Sequence, residues 1–178
     1  MWEGLAQAGV RFVILGGVAM RAHGSAHVTL DLDICYDTAP DNIEKLVRIL
    51  RAWNARLRLE YVDGERQPGA LDARTFRDSP VLTLQTDLGK LDMMDRVAGV
   101  GDYHAAVLAS ALQPFGSVEL RILALDALIA AKRATGRKRD QEHLIELEAI
   151  RALKHLQPKT PPTRPRRASP ATRPTAPR

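Results

Sequence analysis

The sequence predicts an α/β (α+β) domain over residues 1–156, with a tail over 157–178. Three observations lead there. Short apolar runs stopped by glycine or proline alternate with segments of helical period. Two alternating segments meet at Asp87-Leu88-Gly89 as a hairpin would. Apolar residues make up 45% and charged residues 26%, as in ordinary globular chains, but aromatics are only 4%, so the core must rest on Leu, Val, Ile and Ala.

Trp2 to Ala8 suits a short helix ended by Gly9, and RFVIL over residues 11–15 reads as a buried strand stopped by Gly16-Gly17. Val18 to His23 reads as one or two helical turns before Gly24, and DLDICY over residues 31–36 as a second strand. Pro40 fits a first helical turn, where its missing N–H would have no intrahelical partner. Ile43, Leu46, Val47 and Leu50 follow the i, i+3, i+4, i+7 rule, which predicts an amphipathic helix over 40–54. Residues 55–79 show no dominant period. VLTLQT (81–86) and KLDMMD (90–95) form the expected hairpin. Asp102 to Leu112 reads as a helix and Ser117 to Leu123 as a strand. Leu125 to Ala134 forms a helix closed by Gly136, and Arg139 to His155 a final helix stopped by Pro158.

The formal net charge of +5 belongs to the end of the chain. Lys159, Arg164, Arg166, Arg167, Arg173 and Arg178 face no acid after Leu156, which leaves residues 1–156 one negative charge. Seven of the 11 prolines fall in the same stretch. Such a segment cannot bury enough surface to offset its ordering entropy, so a solvated, disordered tail is expected, with nucleic-acid contact as its possible use. No apolar run approaches the roughly 18 residues of a spanning helix, so no membrane partner is expected. The start, MWEGLAQAG, lacks the basic and apolar regions of a secretory signal. One cysteine, Cys35, permits neither an internal disulfide nor a Cys-based zinc ribbon, and it reads as an inert thiol. Cytoplasmic localisation is the expectation.

Chemistry concentrates in Val13 to Tyr36. A strand ends in Gly16-Gly17, a helix follows, and Asp31-Leu32-Asp33-Ile34 lies on the next strand. Residues two apart on a strand share a face, so Asp31 and Asp33 are aimed together. Adjacent carboxylates repel, and no basic residue in the local segment compensates them. A hard cation relieves that conflict, and Mg²⁺ fits best where phosphates complete its shell. Glycines at a helix start leave backbone N–H groups open to an anion. A carboxylate pair beside an anion cradle points to a nucleoside triphosphate (NTP). Lys132 shares a helical stripe with Leu125, Leu128 and Ile129, which puts an ammonium on an inward face; a phosphate would satisfy its charge.

These residues resemble the nucleotidyltransferase superfamily of the DNA polymerase β-type fold. That signature is an apolar strand, a Gly-Gly or Gly-Ser pair, and then Asp-x-Asp among apolar residues, here Leu15-Gly16-Gly17 and Leu30-Asp31-Leu32-Asp33-Ile34. The wider layout, GGVAMRAHGS, TLDLDI, LDMMDRVAGVGDY and LDALIAAKRATGRKRD, resembles small bacterial abortive-infection and toxin–antitoxin nucleotidyltransferases. The resemblance implies a mixed β-sheet flanked by helices, with a C-terminal helical pair. It implies Mg²⁺-dependent transfer of a nucleoside monophosphate, two ions being held by Asp31, Asp33 and a third carboxylate. Asp92 is preferred for that third place because apolar residues flank it, ahead of Asp87 and Asp95. Gly16, Gly17, Thr29, Lys132 and Asp140 become nucleotide-binding candidates, although an acid at Asp140 also suits the first turn of a helix. His27 stands where such relatives often carry arginine. The implied acceptor is tRNA or a protein hydroxyl, with an antitoxin as a possible partner. A small-molecule acceptor of the aminoglycoside type, or a catalytically degenerate nucleotide- or nucleic-acid-binding module, are the alternatives.

Overall fold

The computed structural model describes residues 1–58 and 71–156. The expected tail over 157–178, and 59–70 within the aperiodic region, lie outside the described residues. In chain order the elements are α1 (Trp2–Gln7), β1 (Phe12–Leu15), α2 (Gly16–Ala22), β2 (Asp31–Tyr36), α3 (Pro40–Ala52) and β3 (Arg56–Leu57). Next come α4 (Ala73–Asp78), β4 (Val81–Thr86), β5 (Gly89–Met94), β6 (Arg96–Val97) and β7 (Gly101–Asp102). The last are α5 (Tyr103–Leu108), β8 (Ser110–Phe115), β9 (Val118–Leu123), α6 (Leu125–Thr135) and α7 (Lys138–Leu156).

Seven strands form one mixed sheet in the order β3-β4-β5-β2-β1-β9-β8, and β6 and β7 form a small separate ribbon. β1 runs antiparallel to β2 and parallel to β9, while β2 and β5 are parallel. Strand β1, flanked on both sides, is buried along its whole length. Its neighbours toward the β3 edge are two-faced. Leu32 and Ile34 of β2, Leu91 and Met93 of β5, and Leu82 and Leu84 of β4 are buried in one cluster with Leu46 and Leu50 of α3. The opposite face carries Asp31, Asp33, Lys90, Asp92, Thr83 and Gln85, because side chains alternate along each strand. A polar face on a sheet whose other face is the core is where this chain can place chemistry.

Most of the sequence expectations hold at the level of elements. α3 begins at Pro40, and α6 ends at Gly136, whose φ of 60° is the left-handed cap that glycine takes most easily. One expectation is corrected. The helix predicted over 102–112 stops at Leu108, and Ser110–Phe115 is instead a strand paired with β9 from Ser110↔Leu123 to Phe115↔Val118. The local sequence carries no strong strand period there. Pairing with β9 decides the outcome, and Pro114 is tolerated because β8 lies at the sheet edge. α2 also begins earlier than expected, at Gly16 itself. Among the described residues no helix is long and apolar enough to cross a membrane.

Candidate active site

Parallel pairing of β2 with β5 sets Asp33 beside Asp92 and Asp31 beside Lys90. Antiparallel pairing of β1 with β2 sets Leu15, the last residue before the glycines, beside Asp33. The three aspartates therefore share a sheet face at the corner where β1 turns into α2.

Gly16 makes that corner possible. Its φ is 61°, and a Cβ there would sit 2.0 Å from Asp33 Oδ2. Any side chain would displace the carboxylate. At Gly17 a Cβ would fall 2.6 Å from the Cβ of Thr29. The second glycine thus lets the segment leading into β2 close over the helix start. Thr29 Oγ1 bonds locally, accepting from Asp31 N at 3.3 Å and donating to Asp31 O at 3.2 Å. The backbone N–H of Gly17 lies near enough to the Asp33 carboxylate to favour its charged form. The anion nearest this helix start is the chain's own Asp33.

Burial pushes the Asp33 carboxyl up to about 6, and the neighbouring charge of Asp92, with a smaller push from Asp31, acts in the same direction. Lys132 and the Gly17 N–H pull the other way. A carboxylate held in this way favours a proton or a cation. Lys90 Nζ stands 3.7 Å from Asp31 Oδ1, and Arg58 Nη1 stands 3.7 Å from Asp92 Oδ1. The local segment does lack basic partners, as the sequence suggested, but β5 and the end of β3 supply them through the sheet.

Asp31, Asp33, Asp92, Gly16, Gly17, Thr29, Lys132 and Asp140 all line one cavity of about 590 Å³. A larger groove, of about 1010 Å³, runs along α3 and α4. It holds Asp95 but none of the candidate residues. Asp87 bonds to Asn54 in the β4–β5 turn. Of the three carboxylates weighed for the third place, only Asp92 therefore reaches the cavity.

Lys132 differs from its expected state. Its inward charge is already paired, with Nζ donating to Asp140 Oδ1 at 2.7 Å. Thr135 Oγ1 donates to the other carboxylate oxygen at 2.8 Å. The Asp140 side chain is 4% exposed and that of Lys132 20%. Burial opposes the Asp140 charge, but the Lys132 and Thr135 hydrogen bonds outweigh it and hold the carboxyl below its usual range.

His143 belongs to the same wall and was not a sequence candidate. Its Nδ1 is 3.8 Å from Asp140 Oδ1, and its ring packs edge-on against His27 with centroids 4.5 Å apart. Burial, then the charges of Lys132 and His27, holds it below the ordinary histidine value. Its i+3 spacing from Asp140 was the signal available in the sequence. Cys35 is inert as expected, because burial raises its thiol to about 12. Among the described residues no group of three or more His, Cys, Asp or Glu side chains is drawn together closely enough to hold a metal ion.

Similarity to solved structures now has a geometry to rest on. The chain is similar to a lincosamide antibiotic adenylyltransferase, LnuA, solved with lincomycin bound: 11% identity, 84% of this chain and 92% of that one covered, TM-score 0.56. The fold is that of a nucleotidyltransferase. The antibiotic-resistance factor ANT(2'')-Ia is also similar, at 13% identity, with 86% of each chain covered and a TM-score of 0.49. No family model and no curated protein sequence matches the chain. In this nucleotidyltransferase fold the candidate residues lie on β2, β5, α6, α7, the β1–α2 corner and, for Thr29, the segment leading into β2, so the cavity is built from both halves of the chain.

Proposed function

We propose that the chain transfers a nucleoside monophosphate from an NTP to an acceptor hydroxyl and releases pyrophosphate. The observation that carries this reading is the register of β2 on β5, which aligns Asp33 with Asp92 beneath Gly16 in a cavity faced by Lys132. Asp31, Asp33 and Asp92 would hold Mg²⁺, as two ions. Burial and the neighbouring Asp92 charge, which together raise Asp33, support a cation there, and the triphosphate would complete its shell. When bound, Mg²⁺ supplies charge neutralisation at the phosphates and a lowered pKa for the attacking hydroxyl.

The chain's own groups do the positioning that dominates phosphoryl chemistry. Gly16 and Gly17 bring no side chain of their own to the β1–α2 corner, where Asp33 and Thr29 sit close against them, and a phosphate would approach beside these two. Lys132 neutralises triphosphate charge, and Asp140 aims it. Asp92 accepts the proton of the attacking hydroxyl. The domain is read as residues 1–156, with 157–178 a basic extension, in a cytoplasmic setting.

The resemblance to toxin-type proteins supports tRNA or a protein as acceptor, with an antitoxin partner. Likeness in fold to a lincomycin-bound adenylyltransferase supports a small molecule as the second reading. The test is incubation with each α-labelled NTP, Mg²⁺, and in turn total RNA, a protein extract and an antibiotic panel. Label that appears in one acceptor fraction and disappears with Asp33→Asn is expected. No label in any fraction, with NTP still bound, would replace the enzyme with a binding module.

A further inference from the structure

The active-site face does not end at the aspartates. Across the sheet, Asp33 pairs with Asp92, Asp92 with Thr83, and Arg58 N donates to Thr83 O. The adjacent row runs Asp31, Lys90, Gln85, Arg56. Each row starts acidic at β2 and ends in an arginine at the β3 edge. At normal strand spacing a row spans about 14 Å. Arg56, Arg58 and Gln85 are exposed, and Thr83 and Lys90 are partly so. Among the described residues no side-chain hydrogen bond engages these cationic heads, although two of them stand near carboxylates. Lys90 and Arg58 stay 3.7 Å from their carboxylates, beyond hydrogen-bond distance, and their side chains are 44% and 38% exposed.

Resting on the transferase reading, we propose that this face, with its exposed basic edge, is the acceptor subsite and that it takes a phosphate-bearing acceptor. Arg56, Arg58 and Lys90 bind the acceptor's phosphates, while the carboxylate end of each row repels them. The gradient therefore leaves the acceptor's hydroxyl toward Asp92 and its phosphates toward β3. A polycationic acceptor would meet three basic groups at this edge, so the charges disfavour it. Lys132 and Arg137, on the far wall of the cavity, remain for the triphosphate.

The test measures binding without NTP, using the full chain at low and moderate salt. The probes are a labelled single-stranded RNA oligonucleotide and ribose 5-phosphate, which separate a polymeric source of phosphate from a small one. Arg56→Glu/Arg58→Glu is compared with Arg48→Glu/Arg51→Glu, an equal charge change on exposed positions of α3. Melting curves establish that both variants fold. At least tenfold weaker binding of one or both probes is expected for the β3 variant relative to the α3 variant. For RNA, the log–log salt slope should also fall by about 0.7 per lost contact. Equal binding by the two variants would overturn the proposal and leave the arginines as charges guarding an edge strand. Wild-type binding through β3 with no NTP turnover on any acceptor would instead overturn the transferase reading.

Discussion

Replacing Lys132 by Met tests how the two C-terminal helices serve the site. The substitution keeps an unbranched apolar stem and removes only the ammonium. In the structure that ammonium is 2.7 Å from a carboxylate that is 4% exposed. Without it, Asp140 keeps the Thr135 hydroxyl but loses its counter-charge. Breaking a buried pair from one side costs about 3–5 kcal/mol, and the 20% exposure of Lys132 places this one near the lower end. About 3 kcal/mol corresponds to a fall in Tm of roughly 6–12 °C for a folded region of this size. The effect depends on pH. Asp140 is held below its usual range, so its stabilisation is full above the unfolded value near 3.9 and is lost as pH falls through the lower folded value. Losing the lysine raises the folded value, so the penalty is greatest at neutral pH and shrinks as Asp140 takes a proton. Urea melts at pH 7.5 and pH 4, with Lys132→Met/Asp140→Asn closing the cycle, measure this. The double variant should recover most of the stability at pH 7.5. Wild-type stability in Lys132→Met at pH 7.5, or strict additivity of the two substitutions, would refute the reasoning.

Asp33, pushed up to about 6, makes the native state hold its proton more tightly than the unfolded chain. That contribution is full below about pH 4 and fades as pH rises to 6, by an amount on the order of 2–3 kcal/mol. Asp33→Asn should flatten this part of the stability–pH curve, abolish Mg²⁺-induced thermal stabilisation and cut any transfer by roughly 10²-fold or more; an unchanged slope and activity would remove Asp33 from the site. Gly16→Ala combines a left-handed backbone position with a methyl 2.0 Å from Asp33 Oδ2, so it should lose about 1–2 kcal/mol from the backbone alone and most Mg²⁺ binding, read by thermal melts with and without the ion. A chain ending at Leu156 should melt like the full chain, since residues 157–178 carry prolines and cations but no large apolar side chain, and should bind RNA with a shallower salt dependence; a large fall in Tm would show that the tail packs.

The aspartates were legible in the sequence because their geometry is local. Alternation along a strand aims Asp31 and Asp33 together whatever the strand pairs with, and paired glycines before a helix mark a corner that carries no side chain of its own. Asp92 was legible only as a member of an alternating strand. Its position beside Asp33 is the register of a parallel pairing between residues almost sixty positions apart, which no local period encodes. The same holds for β8, where a weak local preference yielded to the hydrogen bonds offered by β9. Lys132 shows the division most clearly. Its stripe showed that the charge points inward, but only the packing of α7 on α6 decided that its partner is Asp140. Arg56 and Arg58 carried no signal, because in sequence they are two basic residues in a segment without a period. They acquire meaning when β3 joins β4 and their side chains enter rows that end at the carboxylates. The sequence by itself determined the chemical groups and the faces they occupy, since side-chain direction follows from backbone period. Which groups meet was decided by the tertiary structure, since register and helix packing are settled by burying one face of the whole sheet at once.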